Sequence, residues 1–165
     1  MVDGAQESNK QRVDRELTEL LSELRVALPG AQLLFTFLLT VPFTERFAHV
    51  SQTYKNVFFA TFCTTAISTI FFIAPSAHHR LSFRAKDKER LLFRANAMAI
   101  VGLAFLALSM AGVAFFVTGL AIGESFAIGV TAGTLAVIAA VWYFVPIARR
   151  LRHMRGKDRE DIDEA

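Results

Sequence analysis

Four stretches of this chain, residues 26–43, 56–74, 95–118 and 126–147, contain no Lys, Arg, Asp or Glu, although the sequence holds 18 basic and 15 acidic side chains. At about 1.5 Å of rise per helical residue, each is long enough to cross a hydrocarbon layer about 30 Å thick. A soluble domain distributes its charges over every surface element, so segregation on this scale marks a polytopic membrane chain. Inside lipid a span must satisfy its own backbone polar groups, which for apolar runs of this length means a helix. The expected fold class is therefore all-α: an integral membrane four-helix bundle over residues 26–148, preceded by an N-terminal amphipathic interfacial helix. The 53% hydrophobic content of the 165 residues agrees, since globular chains stay nearer about 45–50%.

Basic residues alternate between the connections. Four Lys or Arg residues precede span one, two lie in the first loop, six in the second, none in the third and six in the tail. Short segments rich in Lys and Arg stay in the cytoplasm, so both termini and the central loop are expected on the cytoplasmic side of the membrane. The formal charge of +3 is then a loop asymmetry, and no nucleic-acid partner is expected from it. The first 25 residues are of mixed charge and no small-residue cleavage site follows the first apolar run, so span one is expected to be retained as an anchor.

Residues 1–12 are polar and aperiodic, the pattern of a disordered tail. From Val13 onward, Leu17, Leu20, Leu21 and Leu24 recur at three- and four-residue spacing, with Glu16, Glu19 and Glu23 on the other side. This predicts an amphipathic helix over 13–25. Its leucines are expected to meet lipid or, because the wet face is acidic where lipid-binding helices are basic, a partner helix or a second copy. Leu20 and Leu24 are the contact positions. Pro29 suits the first turn of span one, and Pro75 closes span two.

Within the spans, polarity falls on stripes. Gln32, Thr36 and Thr40 are four apart on span one, while Thr61, Thr64, Thr65, Ser68 and Thr69 make one side of span two rich in hydroxyls. The span-one stripe is expected to turn inward, where it bonds across helices or lines a solute path; for span two, bonding of the hydroxyls to their own helix is the favoured reading over a path. The candidate pathway is Gln32, Thr36, Thr40, Thr61, Thr65 and Ser68. Span three carries alanines at 104, 107, 111 and 114, and span four a GxxxG at Gly129 and Gly133. Both allow close helix approach and a homo-oligomer. Arg80, Arg84 and Arg90 in the basic connection, and a tail over 149–165 that turns from basic to acidic, suit contact with the lipid bilayer or an unidentified protein partner.

No span holds an ionisable group, which a coupled transporter ordinarily needs. Glu45, His49 and Glu124 are the candidates for an outer mouth. The chain has no P-loop, GxSxG or HExxH sequence, and no catalytic residues are assigned. Its one cysteine, Cys63, allows neither an intrachain disulfide nor a multi-cysteine site. His78 and His79 point about 100° apart on a helix and have no third ligand nearby. No metal, cofactor or enzyme activity is expected.

The stretch ELLSELRVALPGAQLLFTFLLTVPFTERF, followed by YKNVFF and APSAHHR, resembles an uncharacterised family of small actinobacterial four-helix membrane proteins. The resemblance runs from about Leu17 to Ala148 and rests on Glu23, Arg25, Pro29, Gln32, Pro42 and Arg46, with Phe47, Pro75, His78, His79 and Arg80 further on. Members of that family often carry an automatically assigned sodium:proton antiporter label. The resemblance thus implies monovalent cation or proton transport, or a transport-associated role. The residues themselves suit equally a non-catalytic interaction or scaffold protein that docks a partner or anionic lipid.

Overall fold

Charge-free sequence sets the middle of each helix, and the polar flanks decide how far it extends. The computed structural model describes the backbone of residues 9–81 and 88–144, with side chains from Gln11 to His78 and from Leu92 to Trp142. Every regular element among them is helical: α1 (Asn9–Thr40), α2 (Glu45–Ala48), α3 (Gln52–Leu81), α4 (Lys88–Ala121) and α5 (Glu124–Ala139). A 3-10 turn at Val41–Phe43 follows α1, and a π-helical turn at Ala140–Phe144 follows α5. Four segments are long and apolar enough to cross a membrane: Gln11–Phe43, Gln52–His78, Leu92–Ala121 and Glu124–Trp142. The chain divides into two compact units, residues 1–109 and 110–165, with the division inside α4.

In the first unit, α1 departs from the sequence expectation. It is one helix of 32 residues, and no break separates an interfacial helix from a span. Helix is already present at Asn9, inside the segment expected to be disordered. Ion pairs of Arg12 with Glu16 (3.5 Å) and Arg15 with Glu19 (3.7 Å) support this first part. Each such i,i+4 pair on an exposed face contributes a few tenths of a kcal/mol, about 0.3–0.5. Pro29 lies within α1 and starts nothing; its ring is exposed and its missing N–H deprives the Arg25 carbonyl of an i+4 donor. Pro75 likewise does not end α3, which continues to Leu81 with the proline side chain fully buried. Membrane helices accept such prolines where neighbours satisfy the freed backbone.

The leucine stripe is also corrected. Val13, Leu17 and Leu24 are buried within the chain itself, at 4%, 6% and 7% exposure. Leu24 joins Ala31 of the same helix and Phe72 of α3 in the core, with Leu20, Ala27 and Leu28 and the α4 residues Ala99, Leu103 and Leu106 packed around them. The reason lies in lengths. At about 1.5 Å per residue α1 measures about 48 Å and α4 about 51 Å, against about 30 Å of hydrocarbon. Both helices therefore extend past the membrane side by side, and α1 buries its apolar stripe on its own chain.

Ring contacts tie α1 and the connection after it to α3. Phe35 stacks on Phe62 with centroids 5.0 Å apart, and the Phe47 ring of α2 meets Phe58 edge-on at 5.0 Å. Lys55 donates to the Ala48 carbonyl at 3.3 Å with its Nζ 5.9 Å from the Phe47 ring. In the second unit, Ala111, Phe116, Ala127 and Ile138 are buried apolar side chains. Gly123 turns α4 into α5 with φ of +136°, a conformation that L side chains rarely adopt.

Candidate functional site

The six candidate pathway residues divide into two groups that the structure does not bring together. Gln32, Thr36 and Thr40 lie on the exposed side of α1, opposite the face that carries Ala31 and Leu38. Thr36 donates to the Gln32 carbonyl at 2.9 Å and Thr40 to the Phe37 carbonyl at 2.7 Å, both within their own helix. Thr61, Thr65 and Ser68 are instead buried, at 4%, 0% and 0% exposure. The inward turn expected of the α1 stripe therefore fails, while on α3 the threonines bond to carbonyls of their own helix, the reading favoured for that stripe, and Ser68 reaches a neighbour.

Each of these three buried hydroxyls has a carbonyl acceptor within the protein. Thr61 donates to the Val57 carbonyl at 2.8 Å, and Thr65 to the Thr61 carbonyl at 2.7 Å. Ser68 reaches across to α4 and donates to the Gly102 carbonyl at 2.8 Å. A second bridge lies two turns further along α4. Ser109, fully buried, has one proton and two acceptors, the Phe105 carbonyl at 2.8 Å and Thr64 Oγ1 at 3.0 Å, while Thr64 gives its own proton to the Thr61 carbonyl at 2.9 Å. These contacts need the helices close, and Gly102 provides that closeness. A Cβ there would sit 2.8 Å from two ring carbons of Phe72 and 3.3 Å from Phe71 Cβ. Gly102 and Ser109 went unnoticed in the sequence; the available signal was two small residues seven apart in an Ala- and Leu-rich helix. Ser68→Ala is expected to cost about 1 kcal/mol, read as a lower unfolding midpoint in detergent.

Beyond the C-terminal end of α1, Glu45 and His49 are exposed on and just after α2. Glu124 is exposed in the first turn of α5, in the second unit. Among the described residues no three His, Cys, Asp or Glu side chains are placed to hold a metal. Arg84 and the 149–165 tail lie outside the described residues, as do the side chains of Arg80 and Arg90.

A cleft opens where α1 and α4 run beyond the charge-free spans. Its volume is about 340 Å³, and Glu16, Glu19, Leu20 and Glu23 of α1 line it with Leu92, Phe93 and Asn96 of α4. Residues 16, 19 and 23 share one side of a helix by their spacing, which gathers three carboxylates on one wall. Glu16 and Glu19 are partnered by arginines of their own helix; Glu23 has no ion-pair partner among the described residues. Phe93, 80% exposed, supplies an open aromatic face beside them. Leu20, expected as a contact for lipid or a partner, is here a half-buried wall residue between core and cleft, while Leu24 is wholly in the core.

An all-α chain with four helices long and apolar enough to cross a membrane defines the class: a small polytopic membrane protein. Residues 6–146 match the model of a family of unknown function, DUF6328, and the chain belongs to that family. Comparison with curated proteins and with solved structures returns no match.

Proposed function

We propose that this protein is a non-catalytic interaction protein of the membrane, whose acidic cleft receives a basic, partly apolar segment of a partner lying at the membrane surface. The observation that carries this reading is the composition of the cleft: three carboxylates around Leu20, Leu92 and the exposed ring of Phe93. Lysine or arginine tips pair with the carboxylates while an apolar side chain covers the ring, and a cation can stack on it. The same carboxylates repel anionic lipid, so a headgroup is a poor occupant of this face. The asymmetry of Lys and Arg supports placing the cleft and both termini in the cytoplasm, and the resemblance to bacterial proteins supports a plasma membrane.

Cation transport, which the resemblance implies, has weaker support, because the buried hydroxyls of α3 are taken up by carbonyls of their own helix or of α4 and the polar positions of α1 lie on the exposed side of that helix. One preparation tests both readings. Full-length protein in neutral phosphatidylcholine nanodiscs is expected to bind an amphipathic Lys/Leu peptide in a salt-sensitive way. The triple variant Glu16→Gln, Glu19→Gln, Glu23→Gln is expected to weaken that binding about tenfold. Equal binding by both proteins sinks the interaction reading, and sodium or proton flux in liposomes that is lost in Thr65→Val revives transport.

A further inference from the structure

The exposed polar stripe of α1 carries an inference separate from the cleft. Gln32 lies seven residues beyond Arg25 and thirteen before Glu45, in the charge-free part of the helix. That is about 10 Å of rise from the nearer charge, deeper than a glutamine side chain can reach back. Its carboxamide has two donor hydrogens and an acceptor oxygen, yet the side chain is exposed on the chain surface. Thr36 does not satisfy it, because that hydroxyl donates to the Gln32 backbone carbonyl. An unsatisfied amide in hydrocarbon is costly, which is why polar stripes in lipid turn toward protein. Nothing in the described part of the first unit covers this one.

We propose that α1 pairs with α1 of a second copy across a two-fold axis, with the Gln32 carboxamides bonded reciprocally. The argument for a second copy is complementarity at matched depth. Two chains inserted the same way bring Gln32 to the same level, and a carboxamide is its own complement, each donating an N–H and accepting at its oxygen. A different partner would need a donor and an acceptor at that depth by coincidence. The surroundings fit a helix neighbour. Pro29, Thr36 and Thr40 continue the same stripe at helical spacing, and all three are exposed. The Arg25 carbonyl, left without an i+4 donor by Pro29, offers a further acceptor one to two turns away on that side.

The test uses the full-length protein in phosphatidylcholine bilayers, with stoichiometry counted by single-molecule photobleaching as the protein is diluted in lipid. Wild type is expected to dimerise, Gln32→Leu to weaken the dimer about tenfold, and Gln32→Asn to retain more of it than Gln32→Leu. Because Gln32 is exposed, Gln32→Leu should leave the unfolding midpoint of the monomer unchanged. In a Cys63→Ala background, Thr36→Cys is expected to form an intermolecular disulfide and Ile70→Cys, exposed on α3, to form none. A wild type that stays monomeric at every density overturns the proposal. So does a dimer indifferent to Gln32→Leu, or one crosslinked as well through position 70 as through position 36.

Discussion

Gly102→Val is expected to lower the unfolding midpoint in detergent more than any other single glycine replacement among residues 9–109. The first added carbon would already lie 2.8 Å from Phe72 Cδ1 and Cε1, inside the closest approach that carbon atoms tolerate. Phe72 cannot swing away, because it is 2% exposed and held in the core with Leu24 and Ala31. The alternative is for α3 and α4 to separate, which lengthens the 2.8 Å bond from Ser68 to the Gly102 carbonyl and the 3.0 Å contact between Ser109 and Thr64. Two effects of opposite sign compete at this position. A glycine inside a helix is about 1 kcal/mol less favourable than alanine, so a side chain there gains helix propensity. Overpacking a tight core costs about 1–3 kcal/mol, and a weakened interhelical hydrogen bond adds to it. For Gly102→Ala the balance is a modest net loss; the two further carbons of valine make it about 3 kcal/mol. Gly133→Ala is the control of opposite sign, because a Cβ there meets nothing within 4 Å within the chain and only the propensity gain remains. A Gly102→Val protein as stable as wild type would show that α3 and α4 are not in close contact at this point.

That contact illustrates which parts of the architecture were legible in sequence. The four spans were, because exclusion of charge from a helix about 30 Å long is a property of local sequence and needs no knowledge of neighbours. The direction in which each helix turns its polar side was not. In water, apolar residues point toward protein and polar residues away, so a periodic pattern has a sense. In lipid both sides of a span are apolar, and a stripe such as Gln32, Thr36 and Thr40 says only that a partner is needed. It does not say whether that partner lies in the same chain. On α3 the partner is α4 through Ser68 and Gly102; on α1 the stripe faces out. The prolines misled for a related reason. Pro29 and Pro75 would end helices in a soluble protein, where water competes for the backbone, but membrane helices continue through them. The acidic cleft was half visible: Glu16, Glu19 and Glu23 stood on one face in sequence, whereas Leu92, Phe93 and Asn96, about 70 residues later, join them only through the parallel course of α1 and α4.

Leu24→Glu is expected to prevent folding outright, and it separates the two meanings that the leucine stripe carried. A leucine facing lipid or a removable partner at the membrane surface accepts glutamate with little effect on the isolated protein, since the carboxylate turns to water. A leucine at 7% exposure against Ala31 and Phe72 cannot do this. Loss of its buried side chain costs about 2–5 kcal/mol by analogy with truncation to alanine. Confining a carboxyl group in the space it leaves, protonated or not, adds about 1–3 kcal/mol or more when no hydrogen-bond partner is at hand. Domains are stable by about 5–15 kcal/mol in total, so one such change removes much or all of it. The expected result is aggregated or degraded protein, with no monodisperse peak in size-exclusion chromatography. Glu23→Gln, one residue away on the exposed cleft wall, should purify normally and melt as wild type. The pair is informative because the substitutions are adjacent in sequence, so a difference between them reports only which way each side chain points. If Leu24→Glu instead yields a folded protein with an unchanged midpoint, the stripe does not pack on α3 and α4, and the cleft whose inner wall it forms loses its basis as well.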